Sequence, residues 1–230
     1  MCNKRVLVLN LLAESALKYS FNNRISQVFT LNKVPYNTIH LNELHQAVDF
    51  HYYTHLLISG STQSAMDELP WYADLDRIMS HFITAQKSIL GVCFGHQFLI
   101  RYLVGKNHVR KSATPEIGWT QIIHTPNNIF SHLHHLKAAV YHYDEVFDLD
   151  DHFEVLAHSD RCAIHSFQVK GKNIWGIQFH PDFMYENVFE FAQTAKQKDP
   201  QFTENHCQTA TSLTEFKQND LIFKNWLALS

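Results

Sequence analysis

Four short apolar runs, at residues 6–9, 36–40, 55–59 and 88–92, are separated by longer stretches with helical spacing, and this alternation narrows the available folds more than any other feature. Runs of that length suit strands, and strands alternating with helix-length connections build a parallel sheet with crossover helices. Between the first two runs Ile25, Val28, Phe29 and Leu31 recur at helical intervals, and Val34-Pro35 ends the segment because proline stops a helix. Leu75, Ile78, Met79, Phe82 and Ile83 repeat the pattern between the third and fourth runs. Beyond Gly105 the texture changes to strand-like pieces at 119–124, 138–142, 153–157 and 163–169, which predicts an antiparallel section. Gly171 offers a turn between 166–169 and 174–179, a hairpin that brings His180 to a strand end. Amphipathic stretches at 185–196 and 221–229 close the chain, and the polar segment 198–211 between them reads as a loop or loosely ordered insert. The expected fold is an α/β three-layer sandwich with a mostly parallel central sheet and an added antiparallel section, in one domain over residues 1–230.

Composition removes several classes of function. A 45% hydrophobic and 18% charged chain is not of the disordered type. With a formal net charge of -3 and its Lys and Arg scattered, it has no basic stripe for phosphate, so nucleic acid is not an expected partner. Cys2, Cys93, Cys162 and Cys207 form no CxxC pair, which argues against a zinc ribbon or disulfide framework and fits a reducing cytoplasm. Lys4-Arg5 before VLVLNLLA has the look of a short signal peptide, but Asn10 interrupts the run and no small-residue cleavage site follows, so a buried first strand is the better reading. No stretch approaches the roughly 20 apolar residues of a membrane-spanning helix. Among 17 histidines, His132, His134 and His135, or His51 and His55 four apart, invite a metal reading, but no companion ligands complete a site. Neither metal nor cofactor is expected, and with seven glycines no phosphate-binding loop is evident. Phe189, Phe191, Phe223 and Trp226 read as helix-face core.

Chemistry concentrates in two segments. In SILGVCFGHQFLIRYL, residues 88–103, a buried strand runs into Cys93 and helical spacing begins at once. A cysteine on such a turn stands at the carboxyl edge of a parallel sheet, where open α/β folds bind ligands, and the helix N-terminus favours its thiolate. Gly91 and Gly95 relieve crowding around the bend. Taken alone, Cys93 is equally readable as a buried small hydrophobe. In WGIQFHPD, residues 175–182, Pro181 biases His180 toward an extended conformation, and residues two apart on an extended chain share a side. His180 and Asp182 then make an oriented imidazole, the base that a cysteine nucleophile needs.

GVCFGHQ resembles the G-x-C-x-G-x-Q nucleophile elbow of class I glutamine amidotransferases, and QFHPD resembles their Q-x-H-P-E segment. LLISGS at 56–61, EIGW at 116–119 and YHYDEV at 141–146 support the match, which covers roughly residues 1–195. The resemblance implies a flavodoxin-like sheet, with Cys93 as nucleophile, His180 as general acid and base, and Asp182 as the orienting carboxylate. It further implies an oxyanion hole from the backbone N–H groups of Gly60 and Phe94, and substrate contacts from Gln97 and from the region of Tyr143. The sequence departs from the family in having Asp182 where Glu is usual, one methylene shorter, and Tyr143 where several relatives have a smaller or differently polar residue. The implied reaction is hydrolysis of the γ-carboxamide of glutamine through a γ-glutamyl thioester, releasing glutamate and ammonia, with an ammonia-accepting synthetase as the partner. The chain looks most like free-standing proteins similar to the amidotransferase domain of GMP synthase, some of which cleave γ-glutamyl peptides or conjugates. Hydrolysis of such conjugates is therefore the second reading, and a non-catalytic γ-glutamyl-binding module the third.

Overall fold

The structure, a computed structural model, describes residues 4–209 and 211–229; Cys2 lies outside them. The chain runs β1 (Val6–Asn10), α1 (Ser15–Leu31), β2 (Tyr36–His40), β3 (His55–Ile58), α2 (Tyr72–Thr84), β4 (Ser88–Val92) and α3 (Phe94–Val104). β5 (Val109–His124), β6 (Leu136–Val146), β7 (Phe153–His158), β8 (Ser166–Val169) and β9 (Ile174–Ile177) follow. The last part holds α4 (Asn187–Lys198), α5 (Phe202–Asn205), β10 (His206–Gln208), α6 (Leu213–Lys217) and α7 (Asp220–Ala228).

Among the described residues all ten strands join one sheet in the order β10-β5-β7-β8-β9-β4-β3-β1-β2, with β6 pairing β5 off that path. β2, β1, β3, β4 and β9 are mutually parallel, the 2-1-3-4-5 arrangement of flavodoxin-like sheets. From β9 through β8, β7 and β5 to β6 the pairing is antiparallel, as the change of texture after Gly105 predicts.

Alternation along the buried strands builds two cores. Val6, Val8, Leu57 and Leu90 meet Phe21, Ile25 and Phe29 of α1 and Phe223 and Trp226 of α7 on one face. Leu7, Leu9, Leu56 and Ile58 meet Leu75, Met79 and Phe82 of α2 and Phe98 and Leu99 of α3 on the other. Each fully buried aliphatic side chain contributes about 2 kcal/mol by leaving water, so both faces must stay covered.

One expectation needs correction. Residues 198–211 are not simply a loop: they carry α5 and then β10, which adds to the edge of β5 in parallel, His206 against Ile117 and Gln208 against Trp119. Among the described residues no helix is long and apolar enough to cross a membrane.

Candidate active site

Three neighbouring strands deliver the predicted residues to one sheet edge. β4 ends at Val92, which is in register with Ile177 of β9, so Cys93 lies one residue past one strand and His180 three past its neighbour. The Cys93 N–H donates to the Ile177 carbonyl at 2.8 Å, which locks the two ends together. β3 ends at Ile58, and Gly60 follows on the other side of β4.

Cys93 adopts φ 51° and ψ -104°, a conformation that L-residues rarely hold, at the point where strand turns into α3. The bend is tight enough to require both flanking glycines. A Cβ on Gly91 would lie 2.4 Å from the Gly95 carbonyl oxygen, and one on Gly95 would lie 2.5 Å from the Ile58 carbonyl oxygen. The thiol points to the Tyr141 carbonyl at 3.8 Å. Because the N–H groups of a helix's first turn have no intrahelical acceptor, those of Phe94 and its successors remain as donors beside the sulfur.

His180 is buried and its Nδ1 lies 2.9 Å from Asp182 Oδ1, so the shorter carboxylate reaches the ring. Burial opposes a charge on this imidazole, but Asp182 and the charge at Cys93 outweigh it and push its pKa upward. Phe183 stacks on the ring with centroids 3.9 Å apart. On the other side a Cβ at Gly60 would lie 3.1 Å from His180 Cε1 and 3.6 Å from Cys93 Cβ, so the absence of a side chain there leaves room between nucleophile, base and the Gly60 backbone.

These residues floor a cavity of about 350 Å³ that also reaches Tyr141. Its walls are Leu17 and Phe21 from α1 together with Phe183 and Phe191, and its mouth carries Glu14, Glu190 and Lys198.

Two predicted substrate contacts stand elsewhere. Gln97 is buried behind the cavity, donating to the Asp144 carbonyl and to Gln178 Oε1, both at 3.0 Å, and so ties α3 to β6 and to the segment after β9. Tyr143 turns its hydroxyl to Asp199 Oδ2 at 3.0 Å, and Tyr141 takes the cavity wall. The exposed His132, His134 and His135 lie between β5 and β6, while His51 sits in a 3-10 turn and His55 on β3, so neither group forms a cluster.

Arg24 escapes the sequence reading although a signal exists: an arginine inside the apolar stripe of Phe21, Ile25 and Val28. Its guanidinium donates to the Pro181 carbonyl from Nε at 3.1 Å and from a terminal nitrogen at 3.0 Å, and pairs with Asp220 of α7. Pro181, between His180 and Asp182, is thereby held from α1, and Asp220 of α7 holds the arginine in turn.

A family model described as glutamine amidotransferase class-I matches residues 13–188. Gamma-glutamyl peptidase 2 of Arabidopsis thaliana is 31% identical over 148 residues, 62% of this chain and 58% of that protein. Glutamine-hydrolyzing GMP synthase of Phocaeicola vulgatus is 29% identical over 133 residues, 56% of this chain and 24% of the synthase. A glutamine-hydrolyzing GMP synthase subunit from Methanosphaera stadtmanae is 41% identical over 101 residues, 42% and 52% of the two chains. The alignments thus span less than two thirds of these relatives' lengths. Among solved structures, a glutamine amidotransferase from Thermotoga maritima superposes with TM-score 0.78 at 18% identity, over 98% of this chain and 96% of that one, a likeness of fold.

Proposed function

The chain belongs to the class I glutamine amidotransferase family, and from that premise we propose that it hydrolyses the γ-carboxamide of glutamine with Cys93, His180 and Asp182. The observation that carries this reading is the convergence of a strained cysteine, an Asp-oriented imidazole and a glycine backbone at the ends of three adjacent strands. Residues 1–230 are read as one amidotransferase-like domain, supported by the single sheet that both cores share.

The Cys93 thiolate attacks the amide carbon and a C–S bond forms. The Gly60 and Phe94 N–H groups receive the charge that develops on oxygen, and donors fixed in advance are worth more there than solvent. His180, held as imidazolium by Asp182, gives its proton to the leaving nitrogen, the C–N bond breaks and ammonia departs. The neutral ring then takes a proton from water, whose oxygen attacks the γ-glutamyl thioester. The C–S bond breaks and glutamate leaves with the thiolate restored. An ammonia-accepting synthetase is the proposed partner, in line with a relative named as one subunit of GMP synthase.

The cavity favours a second reading. A bare carboxamide does not need the apolar walls of Leu17, Phe21, Phe183 and Phe191, whereas a γ-glutamyl peptide or conjugate with an apolar leaving amine can fill them. Release of glutamate and ammonia from glutamine, against glutamate release from a panel of γ-glutamyl amides, separates the two. Glutamine turnover lost in Cys93→Ala supports the first reading, and turnover confined to larger conjugates supports the second. No Cys93-dependent turnover of either, with and without cell extract, overturns both in favour of a binding module.

A further inference from the structure

Apart from the residues that line the cavity, four side chains from three separate parts of the chain converge. Glu116 of β5 and His142 of β6 are register partners, and Cys162 and His165 come from the connection between β7 and β8. One ligand atom from each lies within 4.8 Å of every other. They are 0%, 3%, 1% and 0% exposed, so water does not solvate the group.

Both histidines present Nε2 to the same oxygen, Glu116 Oε2, His142 at 3.0 Å and His165 at 2.7 Å. The opposite nitrogen of His142 faces the Asp144 carbonyl at 3.1 Å, and a carbonyl only accepts, so Nδ1 carries the proton. With Nδ1 committed to that carbonyl, Nε2 is the nitrogen left to offer a lone pair to a cation in place of its contact with Glu116. A carbonyl acceptor behind an imidazole is the usual outer partner of a metal-bound histidine. The second oxygen of Glu116 is also held, accepting from Ser159 Oγ at 2.9 Å, and the same hydroxyl oxygen accepts from the Cys162 N–H at 3.0 Å. Two imidazoles, a thiolate and a carboxylate form a four-ligand set suited to zinc. Their charges also sum correctly: one thiolate and one carboxylate neutralise a divalent cation, leaving a buried site with no net charge, the condition under which ionic groups tolerate burial.

We infer that Glu116, His142, Cys162 and His165 form a structural site for a zinc-class divalent cation, distinct from the Cys93 cavity. On binding, the Cys162 thiol releases its proton to solvent as the sulfur–metal bond forms. The site braces the edge behind the proposed catalytic residues, because the Asp144 carbonyl that receives His142 also receives Gln97 of α3.

The test uses the full chain carrying Cys2→Ser, Cys93→Ala and Cys207→Ser, which keeps Cys162 as the one thiol. Titration with cobalt(II), a spectroscopic substitute for zinc, is expected to fill one tight site per chain and to produce a near-ultraviolet thiolate-to-cobalt charge-transfer band that zinc abolishes. Adding His165→Asn is expected to weaken the affinity by about tenfold or more. Cobalt binding without the band, no tight binding, or undiminished affinity in a folded His165→Asn protein overturns the assignment.

Discussion

At Cys93 the backbone holds φ 51° against the preference of every residue but glycine, a strain of about 1–3 kcal/mol. The strain has a use, since the turn raises the sulfur at the head of α3 while Gly91 and Gly95 clear the way. It follows that Cys93→Gly is more stable than Cys93→Ala by about 1 kcal/mol in urea unfolding, although both lack turnover; equal stabilities would remove the strain argument. Asp182 has a different duty. It fixes the tautomer of His180 and favours its charged form, so Asp182→Asn is expected to lower kcat by about 10²-fold to 10⁴-fold with a smaller effect on KM. The stability contributed by the charged ring is fully present below the ordinary histidine value of 6.5 and is lost as pH rises toward about 10, and the asparagine variant is expected to show a smaller alkaline loss, since only the Cys93 contribution remains. Cys93, His180 and Asp182 were legible as residues because each is marked by its immediate neighbours. Tyr141 was not: it and Tyr143 are two apart on β6, and only their distance from the sheet edge separates cavity wall from Asp199 partner.

Elements become legible in the same proportion as their signal is local. β1, β3 and β4 are buried on both faces and so read as unbroken apolar runs, and each lies within one residue of its expected bounds. β10 has no such signal in His206-Cys207-Gln208, because it exists through pairing with the edge of β5. The Glu116, His142, Cys162 and His165 cluster is hidden for the same reason, since register across β5 and β6 assembles it. Two substitutions test how the elements position the site. Gly95→Ala drives a Cβ into the Ile58 carbonyl, an immobile backbone group, and is expected to cost about 1–3 kcal/mol because α3 must move away from β3. Arg24→Ala removes the tie between α1, the Pro181 carbonyl and Asp220. It is expected to destabilise by about 2 kcal/mol, less than loss of a fully buried pair because Asp220 keeps a third of its side chain exposed. If the tie also aims His180, kcat falls further than stability explains, as small misplacements of a catalytic base do; an unchanged kcat in the folded variant would make Arg24 a structural strut alone.

The whole molecule depends on helices covering both faces of one sheet, and each face contains a histidine whose protonation opposes that cover. On the α7 face, His55 packs edge-on to Trp226 and places Nε2 3.0 Å from the Leu229 carbonyl, and burial holds its pKa down to about 4. On the α3 face, His96 is enclosed beneath the sheet, where the Cβ position of Gly176 lies only 2.6 Å from Nδ1, and burial holds its pKa down to about 3. Both are neutral in the folded chain and recover the ordinary 6.5 on unfolding, so the unfolded state binds more protons once the pH drops below that value. Their contribution is complete above pH 6.5 and is lost as pH falls toward 4, at a slope approaching about 1.4 kcal/mol per pH unit for each ring. His180, with its raised pKa, offsets this only in part and only near pH 6.5, where the unfolded ring is still gaining its proton; lower in the window it is protonated in both states. Urea unfolding at a series of pH values should therefore show stability falling from about pH 6 onward, before the carboxylates titrate. His55→Gln, which keeps a donor for the Leu229 carbonyl, is expected to reduce the slope, and a flat profile from pH 6 to 5 in the unaltered chain would mean that neither histidine resists protonation through the fold.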